Sequence, residues 1–442
     1  MKGLSFVHPD LLSAWRATVG YRSTAVVVVD DHRTWTCADL DAASEDLASR
    51  LPPGTALAGR RVGLAEANGA PWFAAFIALL KRQAVPVLLD ASDSAEKTIE
   101  TAAGLGAVGA WTHATWTPTG VSPRPRRERG LVKSTSGSTG LSRGFRFTDA
   151  QMLADGRQIC EGMGIRTNDV NLAVIPLGHS YGLGNLVIPL LAQGTACVCV
   201  PTPLPGALAD ACRRHKPTVF PAVPILLKAL CKSLEEPADF SSLRLVISAG
   251  SPIRPEDAKA FHARFGRPVH VFYGSSETGG ISYDASGTAA ETGRSVGTAL
   301  PGVSLREHPG RQLEVRSSAV MGKGSHRPAD QVQLTSAGEL VLLGRRGRMA
   351  KIGGRRLDLA GLEAELQRIP GIRTVVVEPH PSRDDCLAAI LATNLGLAEV
   401  KEAIAAHLPS WKIPSRIKIV SELPVTPRGK VDRAQVRQLL SE

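Results

Sequence analysis

The sequence predicts an α/β protein with a large N-terminal region of doubly wound β/α subdomains and a small β-rich unit, followed by a small α+β C-terminal domain. Three observations carry this. Short Val/Ile/Leu runs alternate with helical patterns through the first 270 or so residues, which is the rhythm of a parallel sheet with helical crossovers. From about residue 295 the pattern turns to short strands separated by glycines, and after GRRGR at 344–348 it changes again to mixed helices and strands.

In order, AVVVVD is a strand, a helix starts at Ala38, RVGLAEA is a strand, a helix starts at Trp72, and AVPVLLD is a strand. PTVFPAV and LRLVISAG continue the alternation and end in small residues and turns, so ligand groups are expected at their carboxyl ends. SVGTALPGVSLREH, RQLEVRS and GELVLLG make the β-rich unit. The last module has a helix with Leu359, Leu362, Leu366 and Ile369 on its apolar side, strands TVVVEP and LAAILA, a helix near 398–408, and strand RIKIV. The division expected is 1–346 and 347–442, with a hinge near Gly347.

With 442 residues, 43% of them hydrophobic, the chain can bury large cores. The apolar runs FAAFIALL (73–80) and LVIPLLA (186–192) fall short of the eighteen or so residues of a membrane span and read as core. The start, MKGLSFVHPDLLSAW, lacks the continuous apolar stretch of a signal peptide, and seven cysteines carry no C-x-x-C pair, so a reducing, cytoplasmic setting is expected. Cys197 and Cys199 alternate in TACVCV and should share one face of a strand as core residues. A net charge of +11 is spread over isolated arginines. The densest cluster, RPRRERG (124–130), lies among prolines without aromatics and reads as a solvated linker, leaving CoA, an acidic carrier protein and nucleic acid as anionic partners that charge alone does not separate.

The run KSTSGSTGLSRGFRFT, 133–148, packs hydroxyls, glycines and cations with almost no apolar side chain before Phe145. It reads as a loop for phosphate: glycines let backbone N–H groups approach an anion, hydroxyls add donors, and Arg143 adds a fixed charge. It is not a Walker A loop, because Gly137 and Gly140 are three apart and Arg143-Gly144 reverses the closing order. Alone, it also fits a flexible Gly/Ser connector. RPVHVFYGSSETGG (267–280) places an apolar strand before Tyr273-Gly274 and then Ser275, Ser276 and Glu277, delivering a carboxylate into a cleft. PVTPRGKVDR (424–433) presents Lys430 behind a Pro/Gly turn.

These three segments, with RTWTCADLDAASEDLASRL (33–51), PLGHSYGLG (176–184), SVGTALPGV (295–303) and the run from Asp330 to Arg356, resemble in order the AMP-forming acyl-adenylate superfamily of acyl-CoA and aryl-CoA ligases, nonribosomal-peptide adenylation domains and luciferases. The likeness spans nearly the whole chain and is closest to the acyl/aryl-CoA ligases. It implies ATP, Mg²⁺ and CoA, or the phosphopantetheine of a carrier protein, and a mobile C-terminal domain. It also implies roles. Thr135, Ser136, Gly137, Ser138, Thr139, Gly140 and Arg143 would grip phosphates; Gly250 and Ser251 would let backbone approach adenine; and Tyr273, followed by Gly274 and Ser275, would pack on the base. Ser276 and Glu277 match the metal side, Asp330 and Arg345 the ribose contacts, and Lys430 the lysine that bridges the substrate carboxylate and the α-phosphate during adenylation. His179 matches the acyl-pocket and thiol-entrance position, and Lys351, Gly353 and Gly354 the thiol-side arrangement that follows rotation about the hinge.

The resemblance further implies that amino acids are disfavoured, since no aspartate lies between Gly178 and Gly184, whereas Gly279 and Gly280 would leave room beside a pocket lined by no obvious second charge. A fatty, hydroxyacyl or aryl acid is the expected substrate. Departures from the family pattern are Ser142-Arg143 for Pro-Lys, Val271 for asparagine, and Gly347 at the hinge. The expected activity is ATP-dependent carboxylate activation followed by transfer to CoA. A carrier-protein acceptor is the near rival, and a nucleotide-binding protein without turnover the distant one.

Overall fold

A computed structural model describes residues 6, 8–31, 33–53, 56–122, 129–136, 142–233, 238–345, 348–352, 355–383, 386–426 and 429–442; for Thr135, Ser136, Ser142, Arg345, Met349, Lys351, Arg355 and Arg356 it describes the backbone only. The chain divides into two compact units, one formed by Met1–Leu305 with Val315–His326, the other by Arg306–Glu314 with Arg327–Glu442.

In the first unit, nine strands among the described residues form one sheet in the order Thr298–Ala299, Gly279–Tyr283, Val269–Ser275, Leu245–Ser248, Val219–Ala222, Val170–Ala173, Ala196–Cys199, Val26–Val29, Thr34–Thr36. Its centre is parallel and its two ends are antiparallel. A second sheet of six runs Thr115–Pro118, Gly109–Thr112, Arg61–Ala65, Val85–Leu88, Leu131–Ser136, Ser142–Phe147, again parallel inside with antiparallel edges. The near-continuous apolar strands follow from burial on both faces.

The sequence explains the local choices. Helix Ala70–Lys81 begins after Gly69 with Pro71 near its first position, where a missing N–H costs nothing, and the Ala70 amide donates to Asp30 at 3.1 Å. Ten of its twelve residues are buried, so it is a core helix, as its apolar run predicts. Helix Asp149–Met163 opens with a reciprocal capping box between Thr148 and Gln151, the kind of cap that contributes about 1 kcal/mol. Helix Cys37–Arg50 begins one residue before the start expected from sequence. No helix among the described residues is long and apolar enough to cross a membrane.

All seven cysteines are free thiols and five are buried. Cys197 and Cys199 lie on strand Ala196–Cys199, both in the core as expected. Burial pushes Cys37 up to about 11 and Cys212 up to about 12, and drives Cys160, Cys197 and Cys199 higher still.

In the second unit, strands Asp330–Leu334 and Leu340–Arg345 pair antiparallel. Helices Leu359–Leu366, Leu397–His407 and Arg433–Ser441 accompany a sheet of Ile372–Pro379, Leu387–Thr393 and Arg416–Val420. Leu359, Leu362, Leu366 and Ile369 are buried together, which is the apolar side read from their spacing. Arg348 donates to Glu363 at 2.6 Å and to Glu378 at 3.2 Å, and Arg433 donates to Glu378 at 2.9 Å, joining the start of this module to its last helix.

Candidate nucleotide and carboxylate site

At its described ends, 133–136 and 142–147, the 133–148 run is strand and not the loop expected from its composition. Leu131–Ser136 and Ser142–Phe147 are paired strands with Thr135 opposite Arg143 and Ser136 opposite Ser142. Backbone pairing to the neighbouring strand Val85–Leu88 outweighs the weak strand preference of Ser, Gly and Lys. Gly137, Ser138, Thr139 and Gly140 lie outside the described residues. Arg143 is exposed. Lys133 is not a loop cation: it is 1% exposed, with its Nζ 4.1 Å from the centroid of the Phe147 ring.

Strand Val269–Ser275 turns back into Gly279–Tyr283, with Ser275 opposite Gly279 and a bulge between Tyr273 and Gly274. Glu277 therefore sits in a hairpin turn between the two strands. The turn is held by Ser275 and Thr278, whose hydroxyl oxygens are 3.0 Å apart, and by the Met321 amide donating to the Glu277 carbonyl at 2.9 Å. Ser275, Ser276 and Glu277 are half-buried, and no hydrogen bond engages the Glu277 carboxylate among the described residues. The neighbouring parallel strand Leu245–Ser248 ends beside it, Ser248 opposite Val271, and Gly250 follows with φ of 88°, a conformation that favours glycine. Tyr273, Gly250 and Ser251 are thus brought to adjacent strand ends, where ligands of open α/β sheets bind.

His179 is half-buried and precedes the short helix Ser180–Gly182, which runs into a five-residue π-helical turn, Leu183–Val187. Such turns cluster at functional sites. The Tyr181 ring packs 5.8 Å from Phe272, and Asn185 Nδ2 donates to the Tyr181 carbonyl at 3.2 Å.

Gly279 and Gly280 do not leave open space. A Cβ on Gly279 would stand 2.3 Å from Asp155 Oδ1, and one on Gly280 would stand 2.6 Å from Leu300. Asp155 is buried and accepts from the Gly280 amide at 2.9 Å. Its carboxyl is pushed up by burial, against the opposing pull of Lys133, and the Lys133 ammonium is pushed down by burial, against the pull of Asp155 and Glu277. Two buried ionisable side chains, Asp155 and Lys133, are therefore present in the core of this unit, and Asp155 lies directly behind the turn. Sequence reading missed Asp155 because it is 125 residues from its partner; a charged residue at a core position of helix Asp149–Met163 was the available signal.

In the second unit, Asp330 faces Arg345 across the strand pair, and Asp330 is half-buried. Lys430 is exposed at the end of a tight turn in which the Thr426 amide donates to the Lys430 carbonyl at 2.7 Å and Gly429 has φ of 71°. Lys351 lies on strand Met349–Ile352. Gly347, Gly353 and Gly354 lie outside the described residues.

No cluster of three or more His, Cys, Asp or Glu suited to a metal occurs among the described residues. A lone half-buried carboxylate flanked by hydroxyls fits Mg²⁺ in its usual nucleotide setting, where phosphates and water supply most of the ligands. The donors therefore fit the ion that the resemblance implies.

Comparison with known proteins agrees. The AMP-binding enzyme model matches residues 14–108 and 130–308, and the AMP-binding enzyme C-terminal domain model matches 361–430. Among named relatives, the chain is 28% identical over 353 residues to a 2-hydroxy-7-methoxy-5-methyl-1-naphthoate–CoA ligase of Streptomyces carzinostaticus, covering 71% of this chain and 63% of that one. It is 27% identical over 339 residues to an L-proline–[L-prolyl-carrier protein] ligase of Streptomyces coelicolor, covering 67% and 64%. The matches thus span less than two thirds of these relatives' own length. ATP-bound MatB from Rhodopseudomonas palustris superimposes with a TM-score of 0.82 at 18% identity, over 98% of this chain and 99% of that one. With strand-end glycines, hairpin carboxylate and C-terminal lysine turn all present, and the first model matched over more than half of the length, the chain belongs to the AMP-binding enzyme family.

Proposed function

We propose that the chain is an AMP-forming acid–thiol ligase that activates a fatty, hydroxyacyl or aryl acid with ATP and transfers the acyl group to CoA. The observation that carries this is the convergence of Tyr273, Glu277 and Gly250 at adjacent strand ends of the nine-stranded sheet. The names of the relatives, several of them aryl acid–CoA ligases, support it.

In this reading a carboxylate oxygen attacks the α-phosphorus, the bond to the β-phosphate oxygen breaks, and pyrophosphate leaves. A thiol then attacks the acyl carbon, losing its proton, and AMP departs with the bonding electrons. The chain contributes chiefly position and electrostatics. Tyr273 packs on adenine beside the Gly250-Ser251 turn, residues 135–140 with Arg143 hold the phosphates, and Asp330 and Arg345 hold the ribose. Lys430 meets negative charge as it redistributes during adenylation. Bound at Glu277, with Ser276 beside it, Mg²⁺ would neutralise phosphate charge. His179 serves the acyl pocket, and Lys351 with Gly353 and Gly354 the thiol side. Residues 1–346 form the adenylation core and 347–442 the module bearing the lysine. Seven free cysteines are consistent with a cytoplasmic setting.

A second acceptor, the phosphopantetheine of a carrier protein, is favoured by the named carrier-protein relative. The test is pyrophosphate release from magnesium–ATP over a panel of fatty, hydroxyacyl, benzoic and cinnamic acids, with and without CoA. Release that needs one acid class and accelerates with CoA supports the ligase; release indifferent to CoA moves the acceptor to a carrier protein; silence across the panel overturns the reading.

A further inference from the structure

We propose that Asn68 is a positioning residue that clasps the segment leading to His179, and thereby sets how well the chain holds its acid. The inference rests on the ligase reading for the role of that segment. Asn68 lies between strand Arg61–Ala65 of the six-stranded sheet and helix Ala70–Lys81, yet its side chain bonds to a connection of the nine-stranded sheet. Its Nδ2 donates to the Ile175 carbonyl at 2.8 Å and to the Ala173 carbonyl at 3.3 Å, and its Oδ1 accepts from the Leu177 amide at 3.0 Å. Two carbonyls and one amide fix which way the side-chain amide points. Strand Val170–Ala173 ends at the first of these residues, and Val174–Leu177 joins no strand or helix. Val174, Ile175 and Leu177 are nevertheless buried, where an unpaired backbone group costs as much as a lost hydrogen bond. Among the described residues no backbone bond engages the Ile175 carbonyl or the Leu177 amide, so Asn68 does for this segment what neighbouring strands do for Val170–Ala173.

From Leu177 the chain has little freedom before His179. The Pro176 carbonyl accepts from the His179 amide at 3.1 Å and leaves no room for a side chain on Gly182. Tyr181, in the same turn, packs against Phe272, the neighbour of Tyr273. The other side of the clasp is anchored as well, since the Ala70 amide, two residues after Asn68, donates to Asp30 at the end of strand Val26–Val29. A shift at Ile175 or Leu177 therefore carries His179 and Tyr181 with it. The strand ends that bring Gly250, Tyr273 and Glu277 together keep their own ladders and do not depend on Asn68. Asn68 is assigned no contact with substrate.

The test uses the full chain with Asn68→Ala and Asn68→Asp, measuring KM for the acid and for ATP, melting temperature, and hydrogen exchange at the Leu177 amide. Asn68→Ala should raise KM for the acid about tenfold, leave KM for ATP within a factor of two or so, and open the Leu177 amide to exchange. Asn68→Asp keeps an acceptor for Leu177 but cannot donate to the two carbonyls, so it should preserve the Leu177 protection and still raise KM for the acid. Asp169→Asn, at the opposite end of strand Val170–Ala173, controls for destabilisation alone: it should lower the melting temperature and leave the ratio of the two KM values as in wild type. Folded Asn68 variants whose KM for the acid is unchanged, or rises only in step with that for ATP, overturn the proposal. In the wild-type chain, acid with magnesium–ATP should slow Leu177 exchange beyond ATP alone; equal exchange overturns it even if neither Asn68 variant folds. A wild-type chain that binds magnesium–ATP but releases no pyrophosphate with any acid defeats the ligase reading. Leu177 exchange in Asn68→Ala then judges the clasp by itself, lost protection upholding it and kept protection overturning it.

Discussion

At the scale of single residues, burial decides more than residue type. Asp149 opens helix Asp149–Met163, where its charge favours the helix N-terminus, yet burial first and Asp10 second push its carboxyl up to about 6, only partly offset by the Leu11 amide and Arg129. A raised folded value means that the folded chain binds the proton more tightly than the unfolded chain. The stability this provides is full below the unfolded value, near 3.8, and is lost as pH rises through about 6. Asp149→Asn should therefore stabilise the protein at pH 8 by about 1–2 kcal/mol and bring almost nothing at pH 4, which thermal melts at the two pH values will show. The same lesson applies to Gly279 and Gly280. Sequence alone reads two small residues as room beside a pocket, whereas they are small because Asp155 and Leu300 occupy the space.

Elements were legible where periodicity was strong and obscure where partners were distant. Helix Ala70–Lys81, strand Ala196–Cys199 and the Leu359–Leu366 face followed from local pattern. The paired strands Leu131–Ser136 and Ser142–Phe147 did not, because their strand character comes from pairing with each other and with Val85–Leu88 and not from their Ser- and Gly-rich composition. Distant polar partners also fasten the parallel sheet. Asp169, just before strand Val170–Ala173, accepts from Arg244 Nε at 2.8 Å, from the Thr218 hydroxyl at 2.8 Å and from the Arg166 amide at 2.7 Å. Burial alone would raise its carboxyl, but Arg244 and the other donors outweigh that and hold it below the ordinary range. Its stabilisation is present at neutral pH and lost as pH falls through the depressed folded value. Asp169→Asn should cost about 2 kcal/mol at pH 7, less than a fully buried pair because Arg244 is partly solvated, with the deficit narrowing in acid; urea melts at pH 7 and pH 3 test this.

For the whole molecule, the residues proposed for adenylation are divided between the two units. Glu277 and Tyr273 belong to the first compact unit, Asp330 and Lys430 to the second. Lys430→Ala should lower carboxylate-dependent pyrophosphate release by about 10²–10³-fold while ATP affinity stays within a factor of two or so, because the lost charge matters mainly as the reaction proceeds. Unchanged release would remove Lys430 from the mechanism. The proposed role was readable in sequence because PVTPRGKVDR is a contiguous motif; the hydrogen bond from the Gly280 amide to Asp155 was not, since the two lie on different elements and meet only in the fold.

The thiol chemistry of the chain has a practical corollary. Five cysteines are buried, and burial holds their sulfurs protonated at neutral pH. An aromatic disulfide dye added to the native protein should therefore meet only Cys231 and Cys386 readily, and turn over the other five when the fold opens. In an assay of the proposed transfer to CoA, the dye can count thiol consumption against a low, steady protein background, and a sudden rise of that background would report loss of the fold during the assay itself.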